Sequence, residues 1–483
     1  MAPKWAVAVG ALLAALFSVA TAGKCATEFD VCVVGAGGAG LFTAVRLKQM
    51  GYRALVLEKA DRVGGHCYTW TEPNTGAKIE TGVVLYCDIP LVVDTFKRFN
   101  VTLVPYDPTG SAGQSSYRVS PSGQWLSKES VMNVTAYQKA FELFLGLMST
   151  RFAYIETENG EMPDFDKLPP ATVQMLLRPF GELLDSLDKE LGPGALEPLY
   201  DIIGRLLQIG PGPMREVSAL VALRNLRPAI LKIMLGQGYT VKNGCSSLYH
   251  AFHRYLGGWV KLGAAPFSIT RRSSRMDVTY TREGRKVKTT CRRLVVSAVQ
   301  SLDNLESFIN NLDAKEKAVF SQVTYNIFSK AVVRTPYKMG SNPKGVSVQL
   351  SEFGYKDLPA VVALGTMGPL GVGLTWTVGP TPVATRQGIA DLIISNLTTW
   401  SAAVGGAFPI PAKRKDVFLD GPDLHQHTPR PADMTQLPAF YNALYGLQGH
   451  RNTYYTGALL SHNAQYDVWR YSDWLVRNVT WSC

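Results

Sequence analysis

The hydrophobic pattern opens with one long apolar run and then breaks into short strands and helices. Ala6 to Ala20 is interrupted only by Gly10 and Ser18, follows Lys4, and ends at the small-residue triplet Ala20-Thr21-Ala22. A positive start, a short apolar centre and a small-x-small exit form the layout of a secretory signal peptide. The run is shorter than the roughly 20 apolar residues that cross a bilayer. Residues 1–22 are therefore expected to be cleaved, leaving a secreted or lumenal chain with no stable membrane span; an uncleaved anchor is the alternative.

Beyond it, Phe29 to Val34 reads as a buried strand, Leu41 to Met50 has helical spacing, and Ala54 to Leu57 is a second strand. Ile79 to Leu85 reads as a strand, Pro90 to Phe99 as a helix and Val101 to Val104 as a strand. Residues 131–235 are mostly helical, with Pro228 breaking the run from Leu220 to Leu235. A turn at Asn243-Gly244 precedes a helix over Leu248 to Tyr255. Strands follow at Phe267–Thr270, Asp277–Thr281, Lys286–Thr290 and Leu294–Ala298. A second group spans Val323–Val333, Ser347–Glu352, Pro359–Thr366 and Thr375–Val378, before a helix over Thr385–Ala403.

The junction after the first strand carries chemistry. Gly35-Ala36-Gly37-Gly38-Ala39-Gly40 joins strand to helix, and Glu58 ends the second strand. Strand, GxGxxG, helix, strand and acid form a dinucleotide fingerprint. Gly35 permits the tight turn, Gly37 admits a pyrophosphate to the backbone, and Gly40 lets helix and strand pack closely. Free N–H groups at the helix start, over Gly38 and Ala39, face the phosphates. Glu58 can accept bonds from ribose hydroxyls. Next comes Arg62-Val63-Gly64-Gly65-His66, with Lys59 just ahead. Its two glycines allow a second close approach, and Arg62 can pair with a phosphate. His66 reads as a backbone position beside the phosphates, its side chain without a catalytic role.

Composition changes the picture little. Hydrophobic residues make up 46% and charged residues 18%, which excludes a disordered chain. The net charge of +11 comes without a basic-aromatic stripe, so nucleic acid is not an expected partner. Seven cysteines show no metal-ligand spacing, and no metal is expected. Cys32, inside a strand, reads as a buried thiol. Sequons at Asn100, Asn133, Asn396 and Asn478 are expected glycosylation sites.

The GxGxxG unit with its Arg62–His66 extension resembles the flavin amine-oxidase-like superfamily. Most amine oxidases carry Arg where His66 stands. The resemblance implies an α/β fold: a Rossmann-like FAD-binding domain, a mixed-sheet substrate domain and a helical cap. It implies FAD as cofactor, with Gly82, Val83 and Val84 passing the flavin ring and the Ile269 backbone touching the adenine. The C-terminal run from Gly446, through Tyr454-Tyr455-Thr456-Gly457-Ala458, to Tyr466-Asp467-Val468-Trp469 looks like that of flavin-dependent polyunsaturated fatty acid double-bond isomerases. It is also similar to the beta-cyclopiazonate dehydrogenase branch. Gly457 and a helix N-terminus at Asp467 and Val468 are placed near the flavin by that likeness.

The implied layout is 23–110, 238–300 and 416–483 for the FAD domain, 111–237 for the cap and 301–415 for the substrate sheet. An isomerase of this kind needs an apolar tunnel and a carboxylate anchor, for which Arg118 is the candidate; no catalytic residue is assigned. Lys330 occupies a point where several amine oxidases hold a water against the flavin; an exposed strand lysine is the expectation here. The leading reading is an FAD enzyme that isomerises unsaturated fatty acids. The alternatives are an FAD-dependent amine or amino-acid oxidase or alkaloid dehydrogenase, and a non-enzymatic relative, which the intact Glu58 and Arg62–Gly65 argue against.

Overall fold

The computed structural model describes residues 28–107, 115–128, 134–208, 211–336, 345–351, 353–380 and 385–481. The segment 1–22 and Asn133 lie outside these residues.

Phe29–Val34 (β1) is buried on both faces from Val31 onward, which is why its sequence is continuously apolar. Gly38–Gln49 (α1) follows and returns the chain to Ala54–Leu57 (β2), which pairs in parallel with β1. Leu41, Phe42, Val45 and Leu47 of α1 are buried. Each such side chain contributes about 1.5–3 kcal/mol. On the other side of β1 lies Arg285–Val296, one strand where two were expected. Its first half pairs antiparallel with Met276–Arg282 and its second half runs parallel to β1. The polar pair Arg292-Arg293 at this changeover imitates a break. Thr453–Tyr455 closes the far side. Cys32 is joined to Cys291 by a disulfide, correcting its reading as a free thiol.

The strand expected over Ile79–Leu85 ends at Glu80. The cause is Gly82, where a Cβ would collide with the His66 carbonyl oxygen: the chain is pressed against the second glycine turn and leaves the ladder.

Among the described residues, six helices between Val134 and Met234 build the cap. Pro228 starts the last of them at its first turn, where no N–H is needed. The substrate sheet has seven strands among the described residues. Val323–Arg334 (β3) pairs on one side with Val372–Pro380 and on the other with Phe418–Pro431 (β4). The order continues through Ala360–Met367, Val346–Leu350, Ser115–Val119 and Trp125–Lys128. The expected boundaries therefore shift. Residues 115–128 leave the cap and 418–431 leave the C-terminal cofactor segment, because both are hydrogen-bonded into this sheet. Gln465–Asn478 (α2) packs against α1 and ends the described fold.

Candidate active site

Two glycine turns form the first half of the site. Gly35 has φ of 102°, a conformation that favours glycine. A Cβ on Gly40 would collide with the Gly35 carbonyl oxygen, so this glycine sets the spacing of α1 on β1. Gly37 caps α1 without a side-chain bond, leaving amides of the first turn, at Gly38 and Ala39, uncommitted. The Gly64 N–H donates to the Ala36 carbonyl at 2.9 Å, and a Cβ on Gly65 would lie 3.0 Å from Gly37 Cα. Side-chain-free backbone and free helix amides thus meet in one cradle, which fits a pyrophosphate.

Glu58 Oε2 accepts from the Ala36 N–H at 2.7 Å and Oε1 from the Ala60 N–H at 2.8 Å. Each oxygen keeps a lone pair for a ribose hydroxyl. The Arg62 guanidinium donates to the Gly65 carbonyl at 3.0 Å and lies over the Tyr68 ring, so it braces the second turn. Lys59 is exposed beside Glu58. Gly457 has φ of 116°, and a Cβ on it would lie 3.9 Å from the Ala39 methyl, at the head of α1.

At three expected cofactor contacts the backbone groups are bonded within the protein. The Ile269 N–H donates to Phe308 and its carbonyl accepts from Asn310, so its backbone is committed to another strand edge. The chain that reaches Glu58 is Gly263-Ala264, bonded to Ala60 and Glu58. The N–H groups of Asp467 and Val468 are also committed, both to Ala464. Because α2 starts at Gln465, its uncommitted amides belong to Gln465 and Tyr466. The Asp467 side chain forms a buried ion pair with Arg227 and meets His462 at 3.4 Å. Burial works against the Asp467 charge, yet Arg227 holds its carboxyl well below the usual range.

The second half of the site lies where β3 and β4 meet the second glycine turn. Lys330 is 3% exposed, correcting its expected place on the surface. It sits within eight consecutive buried residues of β3. Its Nζ is 3.4 Å from Thr81 Oγ1 and 3.3 Å from where a Cβ on Gly82 would lie. Burial, opposed by Asp423 and aided by Arg62, lowers Lys330 to about 8. The Val84 side chain is 40% exposed and Val83 half-buried on the same segment.

His66 is brought to this centre, with its ring 4.8 Å from His425 and 5.9 Å from His427. Burial, then the charges of His427, Lys330 and Arg62, hold His66 down to about 3. His66 nevertheless keeps accessible surface. Both facts fit a ring that faces an internal cleft. His425 is held down to about 2, again by burial first and then His66 and Lys330. At neutral pH both rings are uncharged. Sequence reasoning missed His425 and His427; their i, i+2 spacing was the available signal. Arg118 is elsewhere. It lies four strands from β3, about 19 Å across the sheet.

Among the described residues Asp313, Glu316 and His450 also cluster, each already bonded: Glu316 to Arg271, and Asp313 to His450 and the Glu316 amide. Asn100 and Asn478 are exposed and Asn396 is half-buried on its helix.

Residues 33–99 match the NAD(P)-binding Rossmann-like domain family. The glycine cradle and Glu58 fit a dinucleotide, and the relatives are named FAD-dependent oxidoreductases: the cofactor is FAD and the chain is a flavoenzyme, with a fold similar to those of a fatty acid isomerase and of amine oxidases. Two relatives are an FAD-dependent oxidoreductase, dbaF, of Emericella nidulans and a beta-cyclopiazonate dehydrogenase of Aspergillus flavus. The first is 29% identical over 89% of this chain and 86% of its own. The second is 25% identical over 63% of this chain and 62% of its own. The fold matches a CLA-producing fatty acid isomerase from P. acnes with a TM-score of 0.68, at 19% identity, over 94% of this chain and 99% of that one. It matches a putrescine oxidase bound to putrescine with a TM-score of 0.61, at 17% identity, over 93% and 96%.

Proposed function

We propose that this flavoenzyme moves double bonds within polyunsaturated fatty acids, giving conjugated products without net oxidation, and that it works in the secretory pathway. The observation that carries the reading is the likeness of the whole fold, with a TM-score of 0.68, to a fatty acid isomerase; the imidazoles of His66 and His425, held at about 3 and 2, add no charge beside it. When bound, the flavin would supply hydride acceptance and return, chemistry that needs no protein acid or base. This chain's residues then have other tasks. Gly82 and Thr81 bring the backbone beside Lys330, while Phe328, His425 and His427 wall the cleft and exclude water. The leader 1–22 and the exposed Asn100 and Asn478 support the compartment.

Lys330 favours a second reading, an FAD-dependent oxidase or dehydrogenase acting on an amine, amino acid or alkaloid. A buried ammonium lowered to about 8 can give up a proton from Nζ near neutral pH. Anaerobic incubation with linoleate separates the two. Growth of conjugated-diene absorbance with the flavin still oxidised, and no electron acceptor present, is expected. Flavin bleaching without conjugation would favour the second reading.

A further inference from the structure

A 260 Å³ cavity lies between the cap and the substrate sheet, away from the glycine turns. Pro211, Val217 and Val221 line it from the cap side, and Tyr355, Arg430 and Met434 from the sheet side. Its wall is half apolar and half polar; Arg430 is its one positive charge and Glu216 its one negative charge. The Arg430 guanidinium donates to Asn326 Oδ1 at 3.0 Å and to the Thr428 carbonyl at 3.1 Å. Both acceptors are neutral. Asn326 is itself 4% exposed and fixed by donating to the Pro211 carbonyl at 2.8 Å. Among the described residues no carboxylate pairs with Arg430. Glu216 also reaches the cavity, but it accepts from the Tyr355 N–H at 2.9 Å. A guanidinium braced by neutral groups keeps its charge and its remaining donors for a ligand.

Strand geometry links this cavity to the flavin end. Lys330 stands opposite Asp423, Phe328 opposite His425, Asn326 opposite His427, and Thr324 opposite Arg430. The register slips by one residue between Asn326 and Thr324, where Thr428 takes φ of 51°. Such a bulge re-aims the side chains beyond it. Three positions would ordinarily turn Arg430 away from the face of His427; the extra residue turns it back. From Thr324 to Lys330 is six residues, about 20 Å of strand. Between the two ends lie Phe328 and His427, their rings 5.2 Å apart, and then His425 against His66.

We propose that Arg430 anchors the acidic head of the substrate in this cavity, so that an apolar chain runs from there along β3 and β4 to the Lys330 end. The site takes a long aliphatic carboxylate. This deepens the fatty-acid reading and rests on it for the chain; the anchor itself rests on the unpaired guanidinium. It also gives the anchoring role to a residue other than Arg118. A cationic amine head is disfavoured at Arg430 by like charge.

The test is binding to the FAD-loaded enzyme, read by perturbation of flavin absorbance, with linoleate and methyl linoleate as probes. Wild type, Arg430→Gln and Arg430→Lys are compared, with FAD content and thermal melting as controls for folding. Arg430→Gln is expected to weaken linoleate by about ten- to hundredfold, the worth of charge-assisted hydrogen bonds. Its affinity for the ester should be unchanged, Arg430→Lys should recover part of the loss, and turnover should lose KM rather than kcat. Equal effects on acid and ester, or no effect on the acid, would overturn the anchor. So would a wild type that binds neither linoleate nor dodecanoate. Arg430-dependent binding without conjugated product would keep the anchor and remove the isomerase reading. Conjugated product with unaltered affinity in Arg430→Gln would do the reverse.

Discussion

The cofactor lobe and the substrate lobe solve their problems with different parts of the chain. Around Gly35–Gly40 and Gly64–Gly65 the work is done by backbone, and the side chains are removed. Around β3 and β4 it is done by polar side chains: Lys330 is buried, His425 is half-buried, and the His66 ring meets them from the second glycine turn. A site made of backbone tolerates no added atom. A site made of polar side chains depends on their protonation.

The largest expected effect therefore comes from one methyl group in the cofactor lobe. Gly40→Ala drives a Cβ into the Gly35 carbonyl and should cost about 3 kcal/mol or more. Purified variant should be colourless, as read by flavin absorbance per protein. Next is the pair that ties the cap to α2. Asp467→Asn removes the nearer carboxylate from the fully buried Arg227, leaving it Glu156 at 3.7 Å, and should lower stability by about 3 kcal/mol in urea titration.

Lys330→Met tests the other lobe. Its folded-state pKa lies below the ordinary 10.5, so the unfolded chain holds the extra proton between about 8 and 10.5. Wild-type stability should thus rise with pH across that window, and the variant should be flat there and more stable at neutral pH. FAD content should be kept. A flavin absorbance change with a midpoint near pH 8, present in wild type, should vanish in the variant.

The effect of the imidazoles is confined to acid pH. His66 and His425 have folded values below the ordinary 6.5, so their stability is complete above 6.5 and is lost as pH falls toward 3. His66→Asn combined with His425→Asn should flatten that decline in melting temperature.

The contrast between lobes also explains what the sequence revealed. β1, α1, β2 and Glu58 could be read because their signals are local: a buried run, glycines at fixed offsets, a terminal acid. β4 escaped notice because Asp423, His425, His427 and Arg430 face the site and give it no apolar alternation. Lys330 was misplaced because lysine is ordinarily a surface residue; the run from Ile327 to Val333 around it was the opposing signal. Asp467 and Ile269 lay near the right elements, yet hydrogen bonds from Arg227 and Asn310 and to the Phe308 carbonyl determine what their polar groups do. Those partners come from distant parts of the chain.

In the proposed isomerisation a hydride leaves and returns within one substrate. This is tested by linoleate deuterated at the carbon between its double bonds, incubated without oxygen in ordinary water. The expected result is conjugated product that retains the label at a new carbon. Label lost to solvent, or bleached flavin with no conjugated product, would contradict it.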